Sequence, residues 1–210
     1  VLLVPNWLGV TEANLKQAQL IAARGYSVFV VDMYGVKNRP PDAAGAGKSV
    51  APLKADRALT RQRVQEAFKQ LQALAVDKFD RTHQAAIGFC FGGLVALELA
   101  RAGAPVAAVV TFHAGLNSPK PEDAKNIKGR VLVLHGADDP SVPPAEVQGF
   151  QDEMRAAKVD WQLMSFGNTV HSFTDVDAKM PGRAEYNPKV AARAYQMMDT
   201  FLAETFAAAK

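Results

Sequence analysis

A chain of 210 residues with 49% hydrophobic and 21% charged side chains has the apolar material for one sizeable core and lies far from the composition of disorder. Its formal net charge of +3 is spread over Lys and Arg interleaved with Asp and Glu, so it offers nucleic acid no basic face. No apolar run reaches membrane-spanning length and no Cys/His cluster has metal-ligand spacing, and the one cysteine, Cys90, cannot form an intramolecular disulfide.

The sequence opens abruptly on the strand-like Val1-Leu2-Leu3-Val4. That leaves room for an upstream segment, either a signal peptide or further strands, and leaves localisation open with the cytoplasm favoured. Thr11 is placed to cap a helix over residues 12–24 that buries Leu15, Ala18, Ile21 and Ala22 and stops at Gly25. Residues 27–31 form a β-branched run ending at Asp32. Residues 34–52, rich in Gly, Ala and Pro and without clear periodicity, read as a long loop or lid, and a polar helix follows over 54–74.

Further strands are expected at 84–89, 106–112, 131–135 and 161–166, with helices at 92–102, 145–157 and 188–206, the last carrying Pro188 in its first turn. Strand and helix alternate throughout, and the strands are apolar on both faces. The expected fold is therefore a single α/β domain over residues 1–210, with a mostly parallel central sheet covered by helices on both faces.

The most informative segment is Gly88-Phe89-Cys90-Phe91-Gly92-Gly93, between an expected strand and an expected helix. This is the pattern of a nucleophile elbow with cysteine where serine is usual. Such a turn holds its nucleophile in a strained conformation and packs so closely that positions two before and two after can hardly carry a side chain; Gly88 and Gly92 meet that need. At the start of a helix Cys90 meets a positive dipole end, and the amide of Phe91 faces the place where an oxyanion would form.

A cysteine nucleophile needs a base, and hydrolases of this architecture present nucleophile, acid and histidine in that chain order. His135-Gly136-Ala137-Asp138-Asp139-Pro140 follows an expected strand and supplies the acid, Asp139 being preferred to Asp138 for its spacing from Gly136 and Pro143. His171, in the loop after the 161–166 strand, is the expected base. Of the other histidines, His83 reads as a solvated loop residue, His135 as packed beside the acid, and His113 as a candidate substrate contact at the rim.

These residues resemble the dienelactone hydrolase family of α/β-hydrolases along essentially the whole chain. The resemblance rests on Asn6-Trp7-Leu8-Gly9, Gly25-Tyr26, Asp32-Met33-Tyr34-Gly35, the Cys90 elbow, the Asp139 segment and His171-Ser172-Phe173. It implies a Cys90–His171–Asp139 triad, a covalent acyl-enzyme on Cys90, water as second acceptor, no cofactor, and a small-molecule ester or lactone as partner. It also implies a second oxyanion donor at the amide of Trp7.

Two departures bear on substrate. The family carries a glutamate that takes part in thiol activation where this chain has Asn6. Its dienelactone-cleaving members hold the substrate carboxylate with two arginines, at positions occupied here by Val36 and Asp175. Lys37 or Arg39 stand close enough in sequence to substitute, and with Asn6, Tyr34, His113 and Phe173 they make up the candidate substrate contacts. Phe89, Phe91, Trp7 and Phe173 suggest a partly apolar pocket mouth, Phe89 reading better as core.

Two readings of other classes compete. Gly45-Ala46-Gly47-Lys48-Ser49 resembles the end of a phosphate-binding loop, but the required first glycine is replaced by Asp42 and no strand leads into it. A catalytically weak or inactive binding protein on the same fold is the stronger rival, because fold alone does not confer activity. Oligomeric state is left open by the sequence.

Overall fold

The computed structural model describes residues 1–74, 80 and 82–208. Among these, six strands form one sheet in the order β2-β1-β3-β4-β5-β6, with all neighbours parallel: β1 (Leu2–Val4), β2 (Phe29–Val30), β3 (Ala85–Phe89), β4 (Ala108–Phe112), β5 (Arg130–Gly136) and β6 (Trp161–Phe166). The inner strands β1, β3 and β4 are buried at every position because helices cover both faces. Leu3, Ile87, Val110 and Leu132 point to one side, where α1 (Glu12–Ala22) and α6 (Pro188–Ala208) pack with Ile21, Met198 and Leu202. Alternate residues Leu2, Ala86, Val109 and Val131 point to the other, against α2 (Ala43–Ala55), α3 (Arg57–Ala73), α4 (Phe91–Arg101) and α5 (Pro144–Ala157). The expected doubly covered parallel sheet is what the chain forms.

The order of strands also locates the site. From β1 the chain moves outward to β2, then returns to place β3 on β1's other side, so the loops leaving β1 and β3 diverge at their carboxyl ends. Such a switch point opens a crevice in parallel α/β sheets. Trp7 leaves one of these strands and Cys90 the other.

Residues 34–52 are not the expected loop. A 3-10 turn spans Val36–Asn38, and α2 begins at Ala43 with the Asp42 carboxylate accepting from Gly45 N at 2.7 Å. Ala46, Val50 and Leu53 are its buried residues, a helical stripe obscured in the sequence by Gly45, Gly47 and Pro52. Pro52 is tolerated near the end, and the Gly45–Ser49 segment lies inside the helix rather than at a phosphate-binding turn. The single polar helix expected over 54–74 is divided at Asp56, which ends α2 and caps α3 by accepting from Leu59 N at 3.0 Å.

In α1, Ala18 and Ile21 are buried as expected, but Leu15 and Ala22 are exposed and Asn14 takes a buried place. Its amide donates to Asn6 Oδ1 at 3.0 Å and to Gly9 O at 2.7 Å, tying the helix to the loop after β1. A short antiparallel hairpin, β7 (Lys179–Met180) and β8 (Ala184–Glu185), follows β6; alternation too brief to register in sequence forms it. Between α4 and α5, the fully buried Arg101 donates to Glu98, to both oxygens of Glu153 at 2.8 and 2.7 Å, and to Leu116 O.

Candidate active site

Cys90 sits between β3 and α4 with φ 54° and ψ −119°, conformational strain that only a tightly determined turn retains. The determination comes from the glycines. A Cβ at Gly88 would lie 2.1 Å from Gly92 O, and one at Gly92 would lie 2.1 Å from Val4 O and 2.4 Å from Pro5 O. Gly93 is equally constrained, since its Cβ would meet that of Ala114 at 2.4 Å. The Cys90 amide donates to Phe112 O at 2.9 Å, so the turn is also pinned to β4.

His171 Nε2 stands 3.0 Å from Cys90 Sγ, and its Nδ1 stands 2.6 Å from Asp139 Oδ2. The other oxygen of Asp139 accepts from Ser141 N at 2.8 Å, which fixes the carboxylate in its turn. Asp139 is buried and Asp138 is exposed. Gly136 brings the two loops together: a Cβ there would lie 2.5 Å from Thr169 O and 2.8 Å from Val170 O.

The electrostatics of the pair are reciprocal. Burial opposes charge on His171, but hydrogen bonds to Asp139 and Cys90 and the charge of both outweigh it and raise the imidazole to about 10. Burial likewise pushes the Cys90 thiol up, and His171, the Phe91 amide and the charge of Lys54 reverse that and bring it below its ordinary value. Both directions describe a thiolate beside an imidazolium.

Asn6 has a different task. Its Oδ1 accepts from Leu8 N and from Asn14 Nδ2, each at 3.0 Å, and Gly9 N returns to Asn6 O at 3.0 Å. Tyr34 Oη donates to Trp7 O at 2.7 Å, and a Cβ on Gly9 would collide with the Tyr34 ring at 2.9 Å. Asn6, Asn14 and Tyr34 thus hold the loop that carries the Trp7 amide, whose N–H has no protein acceptor among the described residues. Tyr34 is protonated there, its hydroxyl pushed up to about 12 by burial and then by the Cys90 and Asp32 charges.

Cys90, Phe91, His171 and Trp7 line one cavity of about 760 Å³. None of the six candidate substrate contacts does. Asn6 and Tyr34 belong to the loop scaffold. Lys37 is exposed, and Arg39 pairs with Asp32 at 2.8 Å. Phe173 is fully buried with its ring against Phe166 and His113, so it is core, as Phe89 is. His113 is buried beneath the site rather than at its rim: its ring meets that of His171 edge-on at 5.1 Å, its Nε2 pairs with Thr174 Oγ1 at 2.8 Å, and burial holds it neutral. His83 is partly shielded, with its ring against Phe206 and its Nδ1 against Asp80; His135 is buried at the end of β5, as expected.

The cavity takes its basic lining from segments that sequence motifs did not single out, Lys54 at the end of α2, Arg57 at the start of α3, and Lys179 and Arg183 in the hairpin, and its acidic lining from Glu146, Asp175 and Asp177. Only the helix break at Asp56 could have hinted at the first two.

A parallel sheet with a strained residue at the strand-to-helix turn, followed in chain order by an acid and a histidine aligned on it, defines an α/β-hydrolase. The chain belongs to the dienelactone hydrolase family, whose sequence pattern it matches over residues 1–206. It is 39% identical to the crystal structure of a dienelactone hydrolase-like promiscuous phosphotriesterase from metagenomic libraries, with a TM-score of 0.89 over 97% of this chain and 85% of that one. An uncharacterized protein of Caenorhabditis elegans is 31% identical over 70% of this chain and 94% of its own length. A Salmonella typhimurium protein provisionally named a carboxymethylenebutenolidase is 26% identical over 82% of this chain and 67% of its own length.

Proposed function

We propose that this hydrolase cleaves carboxylic esters or lactones through a covalent acyl-cysteine on Cys90. The observation that carries the reading is the unbroken line Asp139 Oδ2, His171, Cys90 Sγ, at 2.6 and 3.0 Å, opening into the cavity. The thiolate attacks the carbonyl carbon, and the oxyanion that forms rests on the amides of Phe91 and Trp7. The His171 imidazolium gives its Nε2 proton to the departing alkoxide, leaving the acyl thioester. Acylation consumes the thiolate charge that helped hold His171 protonated, so the imidazole, oriented by Asp139, is then free to take a proton from water. The second tetrahedral adduct expels Cys90 and releases the acid.

Val36 and Asp175 stand where the family's dienelactone-cleaving members carry arginine, so dienelactone itself is not the proposed substrate. Phosphotriesters are a second electrophile class, favoured by the name of the 39% identical relative; a tetrahedral phosphoryl centre uses the same thiolate and amide donors. The test is hydrolysis of p-nitrophenyl esters, small lactones and a p-nitrophenyl phosphotriester by wild type and Cys90→Ala. Ester turnover lost in the variant supports the reading. No turnover of any of them by wild type favours the inactive binding protein instead.

A further inference from the structure

We propose that Leu94 and Gly115 form the acyl pocket of the cavity and that the gap between them admits an unbranched aliphatic acyl chain. This rests on the ester-hydrolase reading and adds to it two specificity-determining residues and a substrate class. The direction of the acyl chain follows from the attack. Of the groups on the carbonyl carbon bound to Cys90 Sγ, the oxygen rests on the Phe91 and Trp7 amides and the leaving oxygen faces His171 Nε2. The leaving group therefore extends along the loop of His171 and the hairpin tied to it, where Glu185 N donates to His171 O at 3.0 Å. The acyl chain takes the remaining direction, along α4, where Leu94 lies one turn beyond Cys90 and lines the cavity.

Gly115 faces Leu94 on the same lining, and it differs from the glycines of the elbow. At Gly88, Gly92 and Gly93 a Cβ would collide, whereas at Gly115 it would stand 3.4 Å from Leu94 Cδ1 and 3.8 Å from Glu146 Oε1, and the backbone there is not left-handed. Neither packing nor backbone conformation demands a glycine at this position. What the missing side chain leaves is room, walled by the buried Phe91 and Leu94. Each methylene buried against such a wall adds to binding, and a wall that does not yield discriminates between chain lengths.

The Gly115 side of the gap is fixed. Leu116 N and Asn117 N both donate to Glu146 Oε1, and Leu116 O accepts from the buried Arg101 Nη2 at 3.1 Å. Ala114 is packed against α4, where a Cβ on Gly93 would meet its own at 2.4 Å. The polar groups beside the gap are engaged, Glu146 Oε1 by the two amides and Asn117 Oδ1 by Arg57 Nη2 at 3.0 Å. Of the other charges, Lys54 acts on the Cys90 thiolate, and Asp175, Asp177, Lys179 and Arg183 lie in the segment that leaves His171, on the leaving-group side. The substrate that fits is an ester whose acid part is a neutral straight chain and whose alcohol part can be polar.

The experiment compares p-nitrophenyl hexanoate with p-nitrophenyl acetate, which share a leaving group, on the full chain. Wild type should favour hexanoate in kcat/KM. The ratio of hexanoate to acetate should fall about 10- to 100-fold in Gly115→Val, whose methyls enter the gap, fall less in Gly115→Ala, and recover when Leu94→Ala is added to Gly115→Val. A wild-type ratio below one, or a ratio unchanged in both Gly115 variants, overturns the assignment while leaving the hydrolase reading intact. Should wild type turn over neither ester, the hydrolase reading fails and the pocket is read separately, from protection of Cys90 against iodoacetamide by hexanal and by acetaldehyde. An aldehyde adds reversibly to a thiolate, takes up a proton to give the hemithioacetal, and carries only the acyl chain. Stronger protection by hexanal in wild type that Gly115→Val loses sustains the pocket, and equal protection by both aldehydes, or by neither, refutes it. Should Gly115→Val not fold, Gly115→Ala, whose Cβ meets nothing closer than 3.4 Å, decides through the same ratio.

Discussion

Replacing Gly92 with alanine perturbs the site without touching a reacting group. The added Cβ would stand 2.1 Å from Val4 O and 2.4 Å from Pro5 O, about 1.3 Å inside the 3.4 Å at which ordinary contact begins. Both obstacles are backbone atoms at the end of β1, so no side chain can rotate out of the way. Relief requires the start of α4 and the loop after β1 to separate by about that amount, which carries the Trp7 amide away from Cys90. Overpacking of this kind costs roughly 2–3 kcal/mol, and a domain of this size loses about 2–4 °C of Tm per kcal/mol, so Tm should drop by about 4–12 °C. Displacing one oxyanion donor by an ångström should lower kcat about 100-fold. Thermal unfolding followed by circular dichroism and initial rates on a p-nitrophenyl ester measure both. Wild-type Tm and kcat together in Gly92→Ala would refute the packing argument and the role given to Trp7.

Three further outcomes follow from the same geometry. Asp139→Asn should keep the fold and lower kcat by about 10²- to 10⁴-fold, because the amide cannot hold the imidazolium or fix its tautomer; steady-state kinetics check this, and a loss under tenfold counts against it. Because His171 depresses the Cys90 thiol, iodoacetamide should still alkylate wild type below the ordinary thiol range and slow only as pH falls through that lowered value. His171→Ala leaves burial as the main influence, so the midpoint should rise and the rate at pH 7 fall about 100-fold, whereas coincident pH profiles would exclude the ion pair. Arg101→Met strands the buried Glu153 without its partner, and denaturant unfolding should show a loss of about 3–5 kcal/mol; a loss below 1 kcal/mol would contradict the description of that network.

The residues of the proposed triad were legible because each lies in a short segment whose spacing is fixed by backbone geometry. Gly88 and Gly92 bracket Cys90 by steric necessity, Gly136 draws the Asp139 and His171 loops together, and the order of the three along the chain follows the sheet. The buried alternation of β3, β4 and β5 was equally visible, being a continuous apolar run in each. What the sequence hid depends on contacts between distant segments. α2 was obscured because Gly45, Gly47 and Pro52 signal a break locally, while the burial of Ala46, Val50 and Leu53 against the sheet outweighs that preference. Asn14 displaced Leu15 from the interior because the loop after β1 needs a donor for Asn6 and Gly9. Lys37 and Arg39 were attractive as neighbours in sequence of a family arginine position, yet the 3-10 turn at Val36–Asn38 keeps Lys37 exposed and Asp32 holds Arg39. Arg57 and Lys54 carry no motif, and the junction of α2 and α3 alone brings them to the cavity.

The most direct test of the account is rapid-quench intact-mass spectrometry of the protein during turnover of p-nitrophenyl butyrate, with peptide mapping of any adduct. The account predicts a butyryl group on Cys90 in wild type, persisting longer in Asp139→Asn and absent from Cys90→Ala together with turnover. Turnover retained by Cys90→Ala, or an adduct on another residue, would contradict it.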